Sequence, residues 1–383
     1  MTGRRLVPGR RGRDGEGSRR LSGFSDPVRD RRRAERRFSP LCHSERVAVV
    51  GVLAHRTSPT TRCDPRSRHL LHIRPHPSEE LTVPKWSVII PVRNGQEHLE
   101  RALTSVLKTL PHDAEVRIMD DGSTDRTPDI LAAVQGRDPR VLVHRHSEAQ
   151  GVARSLNELA GFGDSEFLAR MDADDVALPG RWTRGESLLR SADMAFTTVV
   201  FVDERGRPRG ADQPGYLSAA ATPLHLLLGC CLVHPTAMMR RSAFDESGGY
   251  ADTKAEDYEL WLRASCAGQR LVRSSVPGLL YRRHPGQVTL QQPWMDEGTD
   301  SPLWTAYQVA ASTVLDVSPS ALRDFFTAAL HRGPVPQEVG PAITQVGMAL
   351  RSAAERLQPI DRLLFTWRLN RQLGRMQARL DLS

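Results

Sequence analysis

Between Trp86 and Asp175 the chain alternates β-rich runs with stretches of helical period, and the runs end in polar or acidic residues. The β-rich runs are Trp86–Val92, Glu115–Met119, Val141–His144 and the stretch from Phe167. After the first, Leu99, Leu103, Val106 or Leu107, and Leu110 share one helical face, and Pro111 stops it. The second helix is expected from Thr127-Pro128, read as N-cap and first-turn proline. It turns Ile130, Leu131 and Val134 inward. Gly151 opens a third, with Val152, Leu156 and Leu159 on one face. Strands alternating with helices of about 10–15 residues make right-handed βαβ units and a mostly parallel sheet, hence an α/β fold. Such sheets bind ligands at the carboxyl ends of their strands. Three of those ends here carry Arg93-Asn94-Gly95, Asp120-Asp121-Gly122 and Asp172–Asp175.

The last of these is the most demanding. Phe167–Met171 is largely apolar and reads as a buried strand. It runs into Asp172, Asp174 and Asp175. Carboxylates crowded at a strand end repel one another and raise each other's pKa unless a positive charge sits between them. A hard divalent cation such as Mg²⁺ or Mn²⁺, which prefers oxygen ligands, meets that need. Alone, the cluster reads equally as a solvated acidic turn. Its place on one sheet edge with the two other polar strand ends favours a metal.

Other residues carry two readings each. Asp121 or Asp120 can accept a hydrogen bond from the N3–H of a base such as uracil, or can close an Asx turn with Ser123, Thr124 and Asp125. Arg154, on the first turn after Gly151, can reach a diphosphate at a helix N-terminus, or can be a surface arginine. Glu256-Asp257 opens a helical stretch, where a carboxylate either caps or serves as general base for an acceptor hydroxyl. His284 can bind metal or phosphate, with the preceding Arg282 and Arg283 neutralising phosphate charge, or can be structural.

The remaining chain bounds the class. Against a whole-chain charge of +8, the 19 Arg, absent Lys and 9 Asp or Glu of residues 1–80 carry +10, which leaves −2 for residues 81–383. The basic pI therefore belongs to the tail. Rich in Arg, Pro, Ser and Gly without periodicity, residues 1–80 read as disordered. A nucleic-acid arm is the sharper alternative, but Phe24 and Phe38 are its only stacking aromatics. A third reading makes the tail an extension upstream of the true start, with the compact domain beginning near Val83. The five cysteines show no Cys-x-x-Cys spacing, which excludes a zinc site and fits a reducing, cytoplasmic setting. No run of about 18 apolar residues or signal-peptide pattern is present.

Helical periods at Arg181–Leu189 and a β-rich run at Met194–Val202 continue the fold. From Pro302 the chain turns helical to its end. Residues 84–290 are expected to form the α/β domain and 291–383 a helical extension. The last helix, from Asp361, sets Arg362, Arg368, Arg371, Arg375 and Arg379 around Leu363, Leu364 and Trp367. It packs on the core with a solvated basic face, or lies on an anionic membrane. Phosphate-loop, Gly-x-Gly-x-x-Gly, Gly-x-Ser-x-Gly and His-Glu-x-x-His motifs are absent.

Six stretches, Trp86–Asn94, Asp120–Asp125, Gly151–Asn157, Asp172–Asp175, Glu256–Trp261 and Tyr281–Thr289, stand in the order and spacing of a known family. Over residues 86–290 the sequence resembles the family 2 glycosyltransferases of the GT-A fold, in particular bacterial members that build surface polysaccharides and glycolipids. The resemblance implies a Rossmann-like sheet, a nucleotide-diphospho-sugar donor of the UDP type, Mg²⁺ or Mn²⁺, a saccharide or lipid-linked hydroxyl acceptor, and inversion at the anomeric carbon. By position it assigns Pro91, Arg93 and Asn94 to the nucleotide pocket and Asp121 to the base. Asp172 falls to the ribose, Asp174 or Asp175 to the metal, and Asp257 to the catalytic base. Arg154, Arg283 and His284 fall on diphosphate-facing positions, His284 as a further metal ligand. Where the family often has Asn after the Arg matching Arg154, this chain has Ser155. Two other readings remain: a non-catalytic nucleotide-sugar-binding protein of the same fold, and a sugar-1-phosphate nucleotidyltransferase. The latter wants a longer Gly- and Arg-rich loop than Arg93-Asn94-Gly95.

Overall fold

The computed structural model describes residues 83–212, 215–284, 287, 300–330 and 333–381. The chain divides into two units, Met1–His76 and Pro77–Ser383, and the architecture below is that of the second. The readings made for residues 1–80 and for Pro285, Gly286, Val288 and Thr289 lie outside the described residues.

In chain order the elements are β1 (Trp86–Val92), α1 (Leu99–Thr109), β2 (Ala114–Asp121), α2 (Thr127–Gln135), β3 (Val141–His146), α3 (Val152–Gly161) and β4 (Phe167–Arg170). Then come β5 (Val176–Ala177), α4 (Arg181–Leu189), β6 (Met194–Val202), β7 (Pro208–Ala211), α5 (Thr222–Leu226), β8 (Met238–Arg240), α6 (Arg241–Glu246), α7 (Glu256–Cys266) and β9 (Leu271–Arg282). Among the described residues the α-helices after β9 are α8 (Pro302–Val314), α9 (Pro319–Leu330), α10 (Gly340–Ala354) and α11 (Pro359–Leu380).

The sheet runs β3-β2-β1-β4-β8-β6-β9-β5, with β7 hung on β6. β1 pairs in parallel with β2 and β4, and β2 with β3, as the βαβ pattern requires. β8 lies antiparallel between β4 and β6 and splits the parallel sheet from the parallel pair β6–β9. Both faces are covered, so strand residues alternate between two cores. Val88 and Ile90 join Leu103 and Val106 of α1 on one side. Ile89, Met119, Leu168 and Phe196 join Leu156 of α3 and Trp261 of α7 on the other.

The C-terminal helices belong to that second core. Tyr307, Phe325, Val346 and Phe365 are at most 1% exposed and share the cluster of Phe196 and Trp261. On α11 the inward face is Phe365, Leu369, Met376 and Leu380. Leu363 (70% exposed) and Trp367 (46%), expected to be its apolar centre, instead face outward.

Candidate functional site

The three polar strand ends form one surface, and side chains of the β2 loop hold the β1 loop in place. Asn94 sits at φ 52°, a left-handed conformation that Asn tolerates. Its N–H donates to Ser123 Oγ (2.9 Å), and Gly95 N–H donates to Thr127 Oγ1 (2.8 Å). In return Asn94 Oδ1 accepts from Thr124 N–H (2.9 Å). Thr127 is thus the first residue of α2, facing back to β1, whereas capping logic made it the N-cap. Asp125 Oδ1 accepts its N–H (2.9 Å) instead. Pro91 costs the sheet little, because β4 pairs with β1 only as far as Ile89. Arg93 is exposed beside it.

Asp120 and Asp121 end β2, both buried. Asp120 accepts Ser123 N–H (2.9 Å) and faces Arg145 Nε at 3.3 Å. Asp121 accepts the N–H groups of Gln150 (2.7 Å) and Gly151 (3.0 Å) and meets His146 Nδ1 at 2.7 Å. A carboxylate has about four lone-pair sites, so three are already occupied. His146 is itself held by Glu158 at 2.8 Å. Gly122 is required where the loop turns: its φ is +69°, and a Cβ there would lie 2.9 Å from Ala149 N. Arg154 is exposed and donates to Glu158 (2.9 Å) and Gln150 (2.7 Å). Ser155 beside it is fully buried in α3.

Beyond β4, one ligand atom from each of Asp172, Asp174 and Asp175 lies within 4.8 Å of the others. Each has a cationic or N–H partner. Arg170 contacts Asp172 at 2.5 Å, His284 Nε2 meets Asp174 at 2.8 Å, and Arg282 N–H donates to Asp175 Oδ1 at 2.9 Å. Asp175 Oδ2 is buried with no partner. Burial, reinforced by the charges of Asp172 and Asp174, pushes the Asp175 carboxyl well above the ordinary carboxylate range. An orphaned, crowded oxygen of this kind fits a divalent cation. So does the His284–Asp174 spacing, since bonds of about 2 Å put adjacent octahedral ligands about 3 Å apart. Arg283 is exposed, its guanidinium 3.6 Å over the Phe201 ring.

Asp257 opens α7, where Tyr258 N–H donates to its Oδ1 (2.7 Å) and Cys230 Sγ lies 3.9 Å from its Oδ2. Burial raises its pKa above the usual aspartate value, against the opposing influence of His234. His234 shares a hydrogen bond with Tyr250 (3.0 Å), and burial drives its pKa down to about 3.

Sequence reasoning assigned no role to Arg170, Arg181 or His234, and it set Arg282 with Arg283 against phosphate charge. Arg170 and Arg181 are at most 5% exposed, and Arg181 donates to the carbonyls of Arg170 (2.6 Å) and Pro235 (2.8 Å). Arg282 donates to the carbonyls of Asp174 (3.0 Å) and Glu204 (2.8 Å). A lone arginine inside an apolar strand, as in Phe167-Leu168-Ala169-Arg170, was the signal available.

Residues 87–248 match the model of the family described as Glycosyl transferase family 2. The putative glycosyltransferase EpsE of Bacillus subtilis is 30% identical over 188 residues, 47% of this chain and 66% of that one. The succinoglycan biosynthesis protein ExoU of Rhizobium meliloti is 30% identical over 201 residues, 48% of this chain and 57% of that one. The chain thus spans less than two thirds of these relatives. Among solved structures, S. aureus TarS 1–349 in complex with UDP-GlcNAc superposes with a TM-score of 0.50 at 17% identity, covering 78% of this chain and 90% of that one. The polar strand ends, the acidic triplet and these likenesses agree: the fold is GT-A, and within it residues 87–248 match glycosyl transferase family 2.

Proposed function

We propose that the protein moves a sugar from a nucleotide-diphospho-sugar of the UDP type to a hydroxyl acceptor, with inversion, in the synthesis of a surface polysaccharide or glycolipid. The observation that carries this reading is the Asp172–Asp174–Asp175 cluster, on the same sheet edge as the loops of Asn94 and Asp121. ExoU is named for succinoglycan biosynthesis, and a TarS structure of the same fold holds UDP-GlcNAc.

In this reading Pro91, Arg93, Asn94 and Asp121 surround the nucleoside, and Asp172 takes the ribose. Arg154 and Arg283 serve the diphosphate. Asp174, Asp175 and His284 would hold Mg²⁺ or Mn²⁺, which as a Lewis acid stabilises charge on the departing nucleotide. Asp257 takes the proton of the acceptor hydroxyl as that oxygen attacks the anomeric carbon from the face opposite the leaving group. Its raised pKa strengthens it as a base, at the cost of a higher pH for ionisation.

The setting is cytoplasmic in this reading. Cys230, Cys231 and Cys266 are free thiols, as a reducing compartment leaves them. No described helix is long and apolar enough to cross a membrane. The test is nucleotide release by the purified chain against a panel of UDP-, GDP- and dTDP-sugars, with and without EDTA. Release from a UDP-sugar that EDTA abolishes is expected. Binding of donor with no turnover against any acceptor would mark a non-catalytic binding protein, and pyrophosphate release from a nucleoside triphosphate would mark a nucleotidyltransferase.

A further inference from the structure

The C-terminal helices also line a basic cleft. Between α11 and the segment after α5 lies a cleft of about 370 Å³, whose walls include Cys230, Leu330, Trp367, Arg368, Arg371 and Arg375. That volume falls at the lower end of the roughly 300–1,000 Å³ of small-ligand sites. Positions 368, 371 and 375 follow helical spacing, so α11 turns three guanidinium groups to one side. Among the described residues, no carboxylate lines the cleft.

Arg368 is fixed in place, donating to the carbonyls of His225 (2.7 Å) and Gly229 (3.0 Å), which orient its charge without neutralising it. Arg371 lies 5.5 Å from the Trp367 ring centroid. Among the described residues neither Arg371 nor Arg375 pairs with a carboxylate. Trp367, 46% exposed, adds an aromatic surface. Cys230, which lines the cleft, also touches the candidate base: its Sγ lies 3.9 Å from Asp257 Oδ2.

We propose that this cleft receives the acceptor, and that the acceptor is a phosphate-bearing saccharide. This rests on the transferase reading above. Three uncompensated guanidinium groups in one small cleft exceed what a single carboxylate balances, whereas a phosphate monoester brings a charge of about −1.5 to −2. The arginine fork also matches phosphate oxygens two at a time. Trp367 offers the sugar ring a flat apolar face, and the Cys230–Asp257 contact sets the cleft beside the candidate base.

The experiment is calorimetry on the full-length chain in EDTA, which removes metal-dependent donor binding, with glucose 1-phosphate, glucuronate and glucose as probes. Glucose 1-phosphate is expected to bind at least about tenfold tighter than the other two. The doubly substituted Arg371→Gln, Arg375→Gln chain should lose about tenfold or more of that affinity. Both arginines are exposed, so the fold and the Mn²⁺-dependent UDP affinity should not change. Unaltered binding by the double variant, equal binding of glucuronate, or no binding of the sugar phosphate overturns the proposal. A chain that binds glucose 1-phosphate through these arginines but releases nucleotide from no donor would instead sink the transferase reading and keep the anion site. Donor turnover with binding indifferent to the arginines does the reverse.

Discussion

Arg170 carries a full charge inside the protein, 5% exposed, because acidic groups lie around it. Burial works against that charge, yet Asp172, Tyr250 and Glu256 outweigh it and raise the arginine's pKa. Removing one partner of a buried pair strands the other, so Arg170→Met is expected to cost about 3–5 kcal/mol of stability, read from urea unfolding. A loss under about 1 kcal/mol would show that water already screens the site. Asp174→Ala should abolish Mn²⁺-dependent UDP binding, and unchanged UDP affinity in calorimetry would remove Asp174 from the metal. Asp257→Asn should lower kcat by about 10²–10⁴-fold, or roughly 3–5 kcal/mol of barrier, with nucleotide affinity intact. Because burial raises the Asp257 pKa, the acid limb of kcat/KM should lie above about pH 4. A profile flat down to that value would exclude a carboxylate in this environment as the base.

At the scale of elements, the edge of β2 and β3 depends on an ion-paired histidine. Burial alone would discharge His146, but Glu158 and Asp121 outweigh it and raise its pKa above 6.5. A raised histidine pKa means the cationic form favours the fold. The contribution is therefore complete below the unfolded value and fades as pH climbs through the higher folded one. His146→Gln should lose most relative to the natural chain near about pH 6 and least near about pH 9, by denaturant unfolding at both. An equal loss at both would make the histidine a packing residue. Elements with one uninterrupted period were legible in the sequence: Trp86–Val92, Arg181–Leu189 and Met194–Val202 match the expected bounds. β9 was not, for a physical reason. Its register with β6 jumps from Ser274 opposite Thr197 to Pro277 opposite Thr198, and this bulge, with Pro277-Gly278, erases the strand pattern. β5 and β8, two and three residues long, are too short for any period to show. Strand-end positions such as Asn94, Asp121 and Asp174 were readable because polar residues closing apolar runs stand out. Arg282 was read beside Arg283 as a phosphate partner, and its hold on the carbonyls of Asp174 and Glu204 was not legible, because those loops are distant in sequence.

At the scale of the molecule, the sheet and the C-terminal helices are one thermodynamic object. Leu303, Tyr307, Phe325, Phe326, Val346, Leu350, Phe365 and Leu369 are all at most 4% exposed and sit in the core shared with α7. Burying each such side chain is worth about 1.5–3 kcal/mol before the entropy cost of ordering it, so together they are comparable with the roughly 5–15 kcal/mol by which a whole domain is stable. Polar ties reinforce the seam: buried Asp361 accepts from Ser218 Oγ at 2.6 Å, and Tyr307 Oη donates to the Leu227 carbonyl at 3.1 Å. A chain ended before α8 would expose the other half of this core on α7, where Tyr258 and Trp261 are at most 1% exposed. It should therefore lose its cooperative thermal transition and bind a hydrophobic dye, although every residue assigned to donor and base is retained. Removing Met1–His76, the first of the two units, should leave the midpoint of thermal unfolding and nucleotide release unchanged. A native-like transition in the C-terminally shortened chain would show that the sheet stands alone, and that the helices were added to a finished domain.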